Sequence, residues 1–129
     1  MNARLKVGIA GAGSIALGTA ALLAQRGHQS MLWSPSGRGT DGLESGVSSH
    51  GAIELFFNPR IARSAEELVA ENQILMFALP AWGHKKVMDE LAPHIAQGQQ
   101  VIISSHASMG ALYLMQLLNA REVSIPITA

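Results

Sequence analysis

Gly11, Gly13 and Ala16 fall within Val7-Gly8-Ile9-Ala10-Gly11-Ala12-Gly13-Ser14-Ile15-Ala16 and read as G-x-G-x-x-A. Small residues at this spacing suit the binding of paired phosphates over the start of a helix. The first glycine lets the chain turn sharply out of a strand. The second leaves the main chain bare, so that a pyrophosphate can approach it. The third small residue lets the helix pack closely on the strand. The start of the helix offers unpaired N–H groups and a partial positive charge. Gly11, Gly13, Ser14, Ile15 and Ala16 are therefore expected to hold the pyrophosphate of a dinucleotide. A glycine-rich turn needed only for packing is the alternative.

Further along stands Leu32-Trp33-Ser34-Pro35-Ser36-Gly37-Arg38. NAD-binding chains place Asp or Glu about 20 residues past the glycines, on the ribose hydroxyls. Ser34 occupies that position here, and no acid follows before Asp41. A carboxylate would repel a 2′-phosphate, whereas serine hydroxyls donate to it and an arginine binds it with two hydrogen bonds. The expected cofactor is NADP rather than NAD, with Ser34, Ser36 and Arg38 on the adenosine phosphate. The plainer alternative makes Arg38 a solvated loop residue and Ser34 a turn former.

The segment Ala78-Leu79-Pro80-Ala81-Trp82-Gly83-His84 leaves a strand at its carboxyl end, where open α/β sheets bind ligands. Leu79, Pro80 and Ala81 are expected against the middle of the cofactor. Trp82 reads equally as a wall of the site or as a packing residue. His84 is a weak candidate for acid–base work, and Lys85 and Lys86 read as solvent-facing. Ser104-Ser105-His106-Ala107-Ser108 are candidates for the nicotinamide end. His28, His50 and His94 lack metal-ligand spacing, and no Ser-His-Asp arrangement is evident. No catalytic residue and no metal ligand is assigned.

These residues need elements to position them. Apolar runs predict strands over 5–10, 29–33, 73–79, 100–104 and 122–127, with short strands over 52–57 and 61–63 around Asn58-Pro59. Helical spacing predicts helices over 14–26, 64–71, 83–96 and 108–119, and the five glycines of 34–51 predict a loop with room for a short turn of helix. Gly27 stands in the usual place for a helix C-terminal cap, and Ser64 with Glu67 resembles a capped helix start. Strands alternating with helices imply an α/β fold: one doubly wound, Rossmann-type domain with a parallel sheet over 1–129.

Composition is consistent with this. The 129 residues are 48% hydrophobic and 14% charged, as suits a sheet buried on both faces. Formal net charge is zero, so nothing points to nucleic acid or to a basic partner. The lack of cysteine excludes disulfides and thiolate chemistry and is compatible with a cytoplasmic location. Arg4 and Lys6 before the uncharged stretch 7–23 outline a secretory signal. The glycines inside that stretch fit a strand-to-helix switch better, and it is too short and glycine-rich to span a membrane.

Taken together, Gly11 to Ala16, Leu32-Trp33-Ser34, Ala78 to His84, Leu91-Ala92-Pro93 and Gly98-Gln99 resemble the N-terminal domain of the octopine/nopaline (opine) dehydrogenase family. The broader set includes ketopantoate reductase and glycerol-3-phosphate dehydrogenase types. The resemblance implies reductive joining of an amino acid's amine to a 2-oxo acid with NAD(P)H. It also implies a second, mostly helical domain carrying the acid–base residues. On that reading the chain ends about where the first domain should, so it binds cofactor and turns over nothing alone. Apolar surface left by the second domain would favour a homodimer or aggregation. A 2-oxo acid or ketone reductase, and a non-catalytic NADP sensor, are the competing expectations.

Overall fold

The computed structural model describes residues 4–104 and 110–129. Eight strands and four helices follow in order: β1 (Lys6–Ala10), α1 (Ser14–Gln25), β2 (Gln29–Trp33), β3 (Val47–Ser49), β4 (Leu55–Phe57), β5 (Arg60–Ile61), α2 (Ala65–Ala70), β6 (Ile74–Phe77), α3 (Ala81–Leu91), β7 (Gln100–Ile103), α4 (Gly110–Asn119) and β8 (Ile127–Thr128). Six strands form one sheet in the order β5-β2-β1-β6-β7-β8, and every pairing in it is parallel. Chain order reverses at β1, which pairs with β2 on one side and β6 on the other. This is the doubly wound, Rossmann-type α/β sheet expected from the sequence.

The period of two along each strand sorts side chains between two cores. Met31, Trp33, Leu75, Phe77, Val101 and Ile103 face α2, α3 and α4, and pack with Leu68, Met88, Leu91 and Leu114. Val7, Ile9 and Leu32 face α1. That helix presents Ala16, Ala20 and Ala21, all buried, so its axis comes close to the sheet. Ile15, Leu22 and Ile102 stay exposed.

Four elements differ from expectation. The stretch 34–51 holds the short turn of helix that the sequence allowed, a 3₁₀ turn over Leu43–Ser45, but also a strand it did not predict, β3. β3 pairs antiparallel with β4 in a separate two-stranded sheet, so the expected strand over 52–57 shortens to Leu55–Phe57. The helix expected from Gly83 begins at Ala81, because Pro80 at φ −60 and ψ 152 already serves as its N-cap. It ends at Leu91 and passes into a 3₁₀ turn, Ala92–His94, with Pro93 inside it. The last strand is two residues rather than six. In front of it, Glu122 takes a positive φ of 59, and the turn continues through Val123, whose N–H donates to Leu118 O at 3.0 Å.

Candidate functional site at the carboxyl rim of the sheet

β1, β2, β6 and β7 end along one rim, and the glycine turn leaves β1 in the middle of it. Gly11 is held from both sides. Its N–H donates to Trp33 O at 2.8 Å on the β2 side. On the β6 side, a Cβ placed on Gly11 would lie 2.2 Å from Ala78 O, and its φ of 141 is one that side chains rarely adopt. Only glycine fits there. Ala16, fully buried, lies next to it.

Gly13 is a glycine for the opposite reason: a Cβ there would meet nothing within 4 Å. Gly13 is the N-cap of α1, with φ −83 and ψ −169, and no side chain caps the helix. Its carbonyl accepts from Leu17 N–H at 2.9 Å, which starts the helix. The N–H groups of the first turn have no carbonyl one turn back to donate to. The result is bare main chain with donors, opening onto empty space.

That space is a cleft of about 510 Å³. Gly11, Ala12 and Gly13 form its floor, Ser34, Pro35, Ser36 and Gly39 one wall, and Leu79, Pro80, Trp82, Gly83 and Lys86 the other. A second, smaller cleft of about 400 Å³ lies on the α1 side, lined by Gly13, Ser14, Ile15, Leu79, Pro80 and Ser104. Gly13, Leu79 and Pro80 line both.

Most of the residues singled out from the sequence come together here. Gly11, Gly13, Ser34, Ser36, Leu79 and Pro80 line the larger cleft, and Ser14 and Ile15 line the smaller. Ala16 lines neither and acts in packing. Ala81 begins α3 behind Pro80. Arg38 lies on the same loop as Ser34 and Ser36, but is exposed and outside the residues lining the cleft. Its N–H donates to Ser36 Oγ at 3.2 Å, which fixes the loop's shape rather than the guanidinium. Ser34 Oγ is buried in the wall with no hydrogen-bond partner among the described residues.

Ser104 follows β7 directly, with its N–H and its Oγ both donating to Phe77 O, at 3.0 and 2.9 Å. Ser105, His106, Ala107 and Ser108, the other candidates for the nicotinamide end, lie outside the described residues.

The residues after Pro80 divide between packing, the cleft wall and the outer face. His84 is 3% exposed, and its Nε2 sits 3.0 Å from Leu79 O. It therefore braces the strand-to-helix turn and is not poised for proton transfer at the cleft. Trp82 is 88% exposed and stands on the cleft wall, so it is not a packing residue. Lys85 does face outward, against Asp89 at 2.9 Å, with its ammonium 5.5 Å from the Tyr113 ring centre. The Asp89 hydrogen bond raises the Lys85 pKa, and hydrogen bonds from Tyr113 and then Lys85 lower that of Asp89. Lys86, its neighbour, is exposed too, but it lines the cleft.

Lys86, Val87, Gly39, Pro35 and Ala12 are the cleft residues the sequence did not single out. A Cβ on Gly39 would come 3.0 Å from Ala12 Cβ and 3.5 Å from Ser34 Oγ, so the loop folds back onto the glycine turn. For Lys86 the available signal was its position four residues after Trp82, which puts the two on one helix face.

Solved structures share this fold. A 3-hydroxyisobutyrate dehydrogenase of Mycobacterium tuberculosis superposes with a TM-score of 0.74 at 18% identity, covering 97% of this chain and 39% of its own. A reductive aminase of Aspergillus terreus, solved with NADPH and ethyl levulinate, gives 0.69 at 17% over 97% and 39%. An imine reductase of Myxococcus stipitatus, solved with NADP+, gives 0.67 at 17% over 95% and 39%. At these identities the likeness is one of fold, and the chain spans about two fifths of those proteins. No curated protein matches it in sequence. Among the described residues, no helix is long and apolar enough to cross a membrane. The family of NADP oxidoreductases described as coenzyme F420-dependent matches residues 6–108, and the chain belongs to that family, with NADP as its cofactor.

Proposed function

We propose that this domain holds NADPH for an oxidoreductase that reduces a carbon–nitrogen double bond, of the opine dehydrogenase kind, in which an amino acid condenses with a 2-oxo acid. The observation that carries the cofactor part is the empty space over Gly13, at the uncapped start of α1. The residues present fit the group. Gly13, Ser14 and Ile15 would offer main-chain N–H groups to the pyrophosphate, with Gly11 making the turn beneath it and Ala16 keeping the helix close. The buried, unpartnered Ser34 Oγ suits a ligand that brings a hydrogen-bond partner, Ser36 continues the adenosine phosphate wall, and Arg38 would reach the phosphate only from the loop outside the lining. Leu79, Pro80 and Ala81 would border the middle of the cofactor. When bound, NADPH supplies a hydride; the chain supplies placement and exclusion of water.

The reductive aminase and imine reductase names among the structural neighbours support a C=N substrate. The 3-hydroxyisobutyrate dehydrogenase likeness favours a second reading, a 2-oxo acid or ketone reductase. A cytoplasmic location, and a homodimer through the exposed Ile15, Leu22 and Ile102, belong to the same proposal.

Calorimetric titration of the chain with NADPH and NADH tests the cofactor half; tighter binding of NADH overturns it. NADPH oxidation by the native protein tests the chemistry. Turnover that requires amino acid and 2-oxo acid together supports the opine-type reading. Turnover with the oxo acid alone replaces it with the second reading. Binding without turnover on either makes the domain an NADP sensor.

A further inference from the structure

The cleft has two walls, and its cation stands on the wall opposite the expected one. Of the residues lining it, Lys86 alone carries a positive charge. It lies on α3, across from Ser34, Pro35 and Ser36, one helical turn beyond Trp82. Lys85 and Lys86 are equivalent in sequence, but helix phase separates them. Lys85 is taken up by Asp89 and Tyr113 on the outer face. Lys86 has no ion-pair partner among the described residues. No carboxylate lines the cleft either, so nothing in the wall neutralises this ammonium. A lone lysine in a cleft also lined by Ser34 and Ser36, with the Ser34 hydroxyl buried and without a partner, is an arrangement that an added phosphate would complete.

We propose that Lys86 is a second, separate determinant of NADP over NAD, closing on the adenosine 2′-phosphate from α3 while Ser34 and Ser36 hold it from the loop. Trp82, on the same face, is the flat apolar surface against which the adenine ring lies. The proposal rests on the reading that NADP binds in this cleft. It divides the selectivity between a loop and a helix, and it makes Lys86 rather than Arg38 the cation inside the cleft.

The test uses calorimetry with NADPH and NADH on wild type, Lys86→Gln, Lys86→Arg and Arg38→Gln, with Lys85→Gln as the control. Thermal unfolding of each variant is recorded in parallel. 2′,5′-ADP and 5′-AMP serve as probes of the adenosine half alone. Lys86→Gln should weaken NADPH and 2′,5′-ADP about tenfold, as expected for loss of a charge-assisted contact, and move NADH and 5′-AMP less than about twofold. Lys86→Arg should restore most of the difference, and Lys85→Gln should change neither. Raising the salt concentration should shrink the preference in wild type more than in Lys86→Gln. Equal weakening of NADPH and NADH in Lys86→Gln overturns the assignment, and so does an unchanged preference. Absence of any NADPH preference in the wild type is a different failure, because it removes the reading of the cleft itself.

Discussion

The starts of α1 and α2 are solved in opposite ways. At α2 the protein closes the end itself: Ser64 Oγ accepts from Glu67 N–H at 3.1 Å, and Glu67 Oε1 accepts from Arg63 N–H at 3.3 Å. At α1 the capping position is Gly13, which has no side chain to offer and only space around it. A helix end that begins on glycine forgoes only a few tenths of a kcal/mol relative to a serine cap, but it leaves the first-turn N–H groups uncovered. α2 shows that this chain uses such a cap elsewhere. The difference separates a helix end built for stability from one kept free for an anion.

Substitutions can break or sharpen that comparison. The largest effect is expected at Gly11, where Ala would drive its Cβ into the Ala78 carbonyl and impose an unfavourable φ. Gly11→Ala should cost about 3 kcal/mol or more in urea unfolding, and a loss below about 1 kcal/mol would show the turn to be slack. Gly13→Ser tests the bare end directly. The side chain has room and can cap the helix, so stability should stay level or rise by a few tenths of a kcal/mol. NADPH affinity measured by calorimetry should fall about tenfold or more, as the added group fills the phosphate's place. Unchanged affinity would make the glycine incidental.

Ser64→Ala should do the reverse, lowering stability by about 1 kcal/mol with NADPH affinity unaltered. The smallest effect belongs to Asp89→Asn on the exposed outer face. The lowered carboxyl pKa of Asp89 means that its pairing stabilises the fold above the ordinary carboxylate pKa, and that this is lost as pH falls through the lowered value. The wild type and the variant should therefore differ slightly at neutral pH and converge in acid, as read by thermal unfolding across that range.

The central part of the architecture was legible because its signals are local. Val7 and Ile9 alternate into one core, the glycines follow at once, and β2 spans Gln29–Trp33 as its apolar run predicts. The hairpin of β3 and β4 was not legible on its first arm, since Val47-Ser48-Ser49 sits among glycines and polar residues. Its pairing with Leu55–Phe57 is a tertiary fact. The last strand was over-read because Val123 and Ile125 are apolar for a different reason: they fold onto the core beside α4. In the site, the motif residues were visible as types. Which of two adjacent lysines meets the cleft depends on where α3 begins. Pro80 sets that start two residues before the first glycine that suggested it. Arg38 shows the converse: its charge type fits a phosphate, but a residue on an exposed loop is not thereby inside the cleft.

β1 is made first and lies third in a six-stranded sheet. Val7 pairs with Ser30 on one side within a short stretch of chain, but on the other it pairs with Ile74. During synthesis one hydrogen-bonding edge of the first strand must therefore wait, unpaired and flanked by apolar side chains, until more than half the chain has emerged. Distant parallel pairing of this sort slows folding and exposes the nascent chain to aggregation. A late-closing edge is the cost of placing the phosphate turn at the centre of the sheet.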